Sequence, residues 1–84
     1  MKYCIQNYRD ESLVCCFDEP RKLKKWVLNR AKEALEKNPK KFLVENYQFL
    51  QRFLNTPGWY HYPQSINNFM NIFSLPYYVA SYGG

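Results

Sequence analysis

The sequence predicts an α+β fold: an N-terminal β-hairpin, three helices and a C-terminal strand that completes a small antiparallel sheet. Three observations carry that prediction. Two short β-branched or aromatic runs flank a polar tetrad near the N-terminus. Three apolar stripes of helical period follow, each opened near a proline, and residues 77–82 return to the alternation and ring content of a strand.

Residues 3–8 and 13–17 are the hairpin strands, joined by Arg9-Asp10-Glu11-Ser12. The second run, Leu13-Val14-Cys15-Cys16-Phe17, is apolar on both faces, so cover on both is expected. Asp18 then reads as an N-cap with Pro20 in the first turn of a helix reaching about residue 37. Leu23, Trp26, Val27, Ala31 and Ala34 form its stripe, with Leu28 and Leu35 widening it and Arg30 adding its stem. Glu33 and Lys37 are spaced for an i,i+4 pair on the polar side.

Asn38-Pro39 repeats the cap-then-proline signal and opens a second helix, to about residue 55. Phe42, Leu43, Tyr47, Phe49, Leu50, Phe53 and Leu54 are its expected apolar face, with Asn46 lodged among them. Pro57-Gly58 makes a turn, and Trp59-Tyr60-His61-Tyr62 forms an aromatic knot beyond it. Pro63 and Ser65 start a third helix with Ile66, Phe69, Met70 and Phe73 inward, and Pro76 closes it. At 84 residues the chain has room for one small interaction domain, 1–84, with one core.

Charge is distributed unevenly. Residues 21–41 hold nine of the twelve cations, opposed only by Glu33 and Glu36, whereas residues 53–84 contain no Asp, Glu, Lys or Arg. That charge-free stretch carries nine aromatic rings and the single histidine. A solvated surface normally uses charge, so an uncharged aromatic tail is either buried or reserved for a partner. Sixteen rings exceed what so short a chain can bury, which makes a homodimer one way of covering them. The net charge of +5 favours a macromolecular partner with an acidic surface, or nucleic acid.

Cys4, Cys15 and Cys16 are odd in number and read as free, buried thiols. No apolar segment follows a basic N-terminal stretch, and there is no apolar run of about eighteen residues. A cytoplasmic, reducing compartment is therefore expected, with no membrane partner. Abundant Lys, Asn, Tyr, Phe and Ile match A/T-rich codons, as in viral or mobile-element genes.

Chemistry is sparsely signalled. Adjacent Cys15 and Cys16 point to opposite faces of a strand and do not make a zinc pair with Cys4 and His61. All seven carboxylates lie at or before Glu45, leaving His61 no local group to orient it as a base. No Gly-rich phosphate loop is present. Catalysis, metal and cofactor are not expected. The reading is a non-catalytic inhibitor or adaptor that docks through Trp59, Tyr60, Tyr62, Tyr77, Tyr78, Tyr82, Asn67, Asn68 and Asn71. Arg21, Lys22, Lys25, Lys32, Lys40 and Lys41 would steer it electrostatically. The alternative is nucleic-acid binding, with these cations on phosphates and the aromatic knot stacking on bases.

Overall fold

The computed structural model describes the backbone of residues 2–82 and the side chains of residues 2–80. Its elements are β1 (Lys2–Asn7), β2 (Leu13–Phe17), α1 (Pro20–Lys37), α2 (Val44–Leu54), a single 3-10 turn (Trp59–His61), α3 (Pro63–Ile72) and β3 (Tyr77–Tyr82). The sheet is antiparallel throughout, in the order β2-β1-β3, so the C-terminal strand joins the hairpin as expected.

Pleating sorts the sheet into two faces. Tyr3 and Ile5 of β1, Cys15 and Phe17 of β2, and Tyr77 and Val79 of β3 turn toward the helices. Cys4, Cys16, Gln6, Tyr78 and Ala80 fall on the other face. Val14 and Cys16 are exposed there, which corrects the expectation that β2 is covered on both sides. The domain is only 17 Å through its thinnest axis, room for one helical layer on one sheet face.

The helices bury narrow stripes. Leu23, Val27 and Ala31 do so from α1, Leu50 and Leu54 from α2, and Ile66 and Met70 from α3. Helix α1 starts after Glu19, not Asp18, and neither carboxylate caps it; Pro20 at its first position needs no amide partner. Asp18 instead sits 3.7 Å from Lys22. Glu33 pairs with Arg30 at 2.9 Å in place of the expected Lys37.

The second helix begins later than its proline signal implies. The Asn38 carbonyl accepts from the amides of Lys41 and Phe42, closing a turn that leaves Leu43 extended before Val44. Phe42 therefore enters the core from a turn, 5.6 Å from the Phe73 ring, and Leu43 is left outside.

Helix α3 ends in a Schellman motif. The Leu75 amide donates to the Met70 carbonyl and the Ser74 amide to that of Asn71, with Ser74 left-handed at φ 55°. This reversal, rather than Pro76, stops the helix and aims β3 back at β1.

Cysteine pairing departs from the sequence reading. Cys4 and Cys16 face each other across β1 and β2 with Cα atoms 4.0 Å apart and form a disulfide. An odd count does not prevent one bridge; strand register brought two cysteines together and left Cys15 on the core side. Burial pushes the Cys15 thiol pKa up, opposed by the nearby positive charge of Arg30.

Two tests follow from this frame. The Asn67 carboxamide oxygen accepts from the Val79 amide at 2.7 Å, tying α3 to the strand, so Asn67→Ala should cost about 1–3 kcal/mol in urea unfolding. The bridge closes a loop with a sequence separation of 12, so reduction should lower unfolding free energy by about 3 kcal/mol, with the bridge itself verified by peptide mass mapping.

Candidate docking surface

The structure separates the expected anchors into packed and open ones. Trp59 is buried, 7% exposed, which overturns its assignment as an anchor. Gly58, left-handed at φ 78°, and the 3-10 turn after it swing the indole inward, where it meets Tyr60 edge-on at 5.8 Å. Tyr60 also packs edge-on against Tyr3 at 6.4 Å and is half-buried. Tyr77 packs against Trp26 at 5.3 Å, and the Tyr78 hydroxyl donates to Gln6 Oε1. Asn67 is engaged with Val79. These side chains hold the fold together. Tyr62, Asn68 and Asn71 remain exposed, and the side chain of Tyr82 lies outside the described residues.

A different surface emerges along the seam between α2 and α3. Two ring pairs set the alignment of the helices: Phe42 meets Phe73 at 5.6 Å, and Phe53 meets Phe69 at 5.7 Å. Phe49 lies one turn before Phe53 on α2, and Ile72 one turn after Phe69 on α3, so each shares a helix face with a ring of the Phe53–Phe69 contact. Phe49 is 53% exposed and Ile72 44%. Leu43 and Val44, both more than half exposed, sit at the same end of the helix pair. Asn68 and Asn71 lie open on α3, a helix without a charged residue.

Sequence reasoning placed Phe49 in the core because its helical spacing matched. A detectable signal was the width of the α2 arc. Phe49 is turned about 100° from Leu50, and a helix packing one stripe does not bury both. Asn46 beside it is half-buried, not enclosed among apolar side chains.

The cations form no continuous track. Arg21 pairs with Glu19 at 3.5 Å and Lys22 with Asp18, and Lys24 donates to Asn55 at the end of α2. Lys25, Lys32, Lys40 and Lys41 make no ion pair among the described residues and stand exposed. Arg30 pairs with Glu33 and lies 5.6 Å from the Trp26 ring centre. Lys22 and Lys25 also flank a shallow 270 Å³ hollow floored by Phe17 and Trp26. His61 is exposed with its ring tilted on Tyr60 at 4.5 Å, away from the expected stacking array because Trp59 has gone inside.

No group of three or more His, Cys, Asp or Glu is placed to hold a metal ion among the described residues, and no described helix is long and apolar enough to cross a membrane. The chain matches no protein-family model, no curated protein and no solved structure.

The division between packed and open rings can be measured. Trp59→Ala should lose about 3–5 kcal/mol of unfolding free energy. Phe49→Ser should stay within about 0.5 kcal/mol of the parent in the same denaturant titration.

Proposed function

We propose that this chain is a non-catalytic binding protein that docks on an acidic protein partner through the α2–α3 seam. The observation carrying the reading is the exposure of Phe49 on α2 and Ile72 on α3, two helices joined by the Phe53–Phe69 contact, with uncharged asparagines Asn68 and Asn71 also open on α3. Apolar side chains at an interface centre gain from burial, and asparagine gives up water at lower cost than lysine or glutamate. Exposed Lys25, Lys32, Lys40 and Lys41 supply long-range attraction without occupying that centre. Tyr62 joins the set of open rings that a partner could cover. A disulfide-bonded sheet suits an oxidising compartment better than the cytoplasm, so that is where we place its action.

Nucleic-acid binding is the second reading, and the Phe17–Trp26 hollow favours it. There two expected phosphate-contacting lysines, Lys22 and Lys25, flank a common ring surface.

Phe49→Asp/Ile72→Asp and Lys25→Gln/Lys32→Gln variants distinguish these cases. Proteins crosslinked to the parent in an extract of the source cell should drop about tenfold with the seam variant. The lysine variant should slow association and leave dissociation unchanged. Identical capture by parent and seam variant would overturn the proposal. So would micromolar oligonucleotide binding that survives about 200 mM salt and is lost in the lysine variant alone. Loss of a parent homodimer in the seam variant, read by sedimentation, would reassign the surface to self-association.

A further inference from the structure

The β1–β2 hairpin carries two registers along its length. At the turn, the Asn7 amide donates to the Ser12 carbonyl at 2.9 Å and Gln6 pairs with Leu13. Continued without interruption, that register places Ile5 opposite Val14, Cys4 opposite Cys15 and Tyr3 opposite Cys16. The ladder instead shifts between Ile5 and Gln6, so that Ile5 pairs with Cys15, Cys4 with Cys16 and Tyr3 with Phe17. Val14 is the surplus residue of a bulge, and it and Leu13 are both exposed.

A one-residue change of register turns every side chain of a strand to the opposite face, which ordinarily forbids it. Here β2 is Leu13-Val14-Cys15-Cys16-Phe17, apolar at every position and with consecutive cysteines, so Cys4 meets a cysteine in either register. Moving the bulge from Val14 to beyond Phe17 would turn Val14 and Cys16 toward the helices and Cys15 and Phe17 to the open face. Burial of Val14, now 44% exposed, would offset part of the loss of Phe17, itself only half-buried. The contact of the Phe17 ring with Trp26 at 6.5 Å then favours the observed register. As an edge strand, β2 can also unpair while β1 stays joined to β3.

We propose that the hairpin is a two-register device, locked by Cys4–Cys16 in the observed state and by Cys4–Cys15 in a slipped one. Cys15, the free cysteine, supplies the exchanging thiol once β2 unpairs. Its thiolate attacks Cys4 Sγ, and the Cys4–Cys16 bond breaks as the Cys4–Cys15 bond forms. Cys16 leaves as a thiolate and takes up the proton that Cys15 released, so nothing is oxidised or reduced overall. Slippage withdraws Phe17 from Trp26 and removes one wall of the hollow that Lys22 and Lys25 flank. The bridge thereby sets which ring surface the basic helix presents. The device is independent of the docking seam, whose residues lie on α2 and α3.

The test equilibrates the parent, Cys16→Ser and Phe17→Ser chains in a mixture of reduced and oxidised glutathione. Free thiols are trapped by alkylation, and bridges are mapped by peptide fragmentation between residues 15 and 16. In Cys16→Ser, a Cys4–Cys15 bridge is expected in a folded chain, with nuclear Overhauser contacts from Cys4 to Cys15 and from Ile5 to Val14. In Phe17→Ser, which keeps all three cysteines, the ratio of Cys4–Cys15 to Cys4–Cys16 should rise about tenfold over the parent. Alkylation of both Cys4 and Cys15 in Cys16→Ser, at a glutathione ratio that bridges the parent, would overturn the device. So would a parent without the Cys4–Cys16 bridge, a Cys4–Cys15 bridge confined to unfolded chain, or an unchanged bridge ratio in Phe17→Ser.

Discussion

The fold depends on β1 being paired on both edges. Its central residues Tyr3, Cys4 and Ile5 are all buried, and Ile5 is wholly inaccessible. One edge is supplied by the adjacent hairpin strand, a local and inexpensive contact. The other is supplied by β3, where Lys2 pairs with Tyr82 across nearly the entire chain. Such distant pairing incurs loop-closure entropy before any contact repays it. The intervening helices make the closure favourable. Packing Leu23, Val27, Leu50, Ile66 and Met70 against one sheet face brings the end of α3 to the sheet, and its left-handed stop at Ser74 aims the chain along β1. The Asn67–Val79 hydrogen bond then fastens the helix to the returning strand.

That closure determines what the aromatic tail can do. A thin two-layer domain has too few aliphatic side chains to fill the space between helices and sheet, and rings fill it. Phe73 and Trp59 are buried, and Tyr60 and Tyr77 pack as partial walls against Tyr3 and Trp26. Burial therefore accounts for part of the missing charge in the tail. What remains open is differently placed: Tyr62, Asn68 and Asn71 of α3, and exposed Phe49 and Ile72.

The charge pattern has a comparable logic. The run of cations between Arg21 and Lys41 is divided by the helix itself. Those near its start pair with Asp18 and Glu19, and Lys25 and Lys32 project from its middle. Lys37, Lys40 and Lys41 gather at the corner that follows. Exposed pairs of this sort contribute little to stability, about 0–1 kcal/mol each. Their consequence is the field they set up, concentrated at the corner after α1 where Lys37, Lys40 and Lys41 gather.

By itself the sequence determined the element types, their order and the antiparallel hairpin. Strand alternation, helical period and the prolines at positions 20 and 63 are local properties, written in neighbouring residues. It also exposed the separation of basic helix from uncharged tail. Only the tertiary structure decided which of several equally apolar side chains reached the core. Trp59 and Phe49 look alike in sequence, yet a left-handed glycine turned one inward and the angle of α2 left the other outside. The turn at Asn38 delayed α2, and β-register joined Cys4 to Cys16, each depending on residues far apart in the chain or on carbonyls with no sequence signal. Local periodicity reports that a residue can be buried; limited volume beneath a three-stranded sheet selects which ones are.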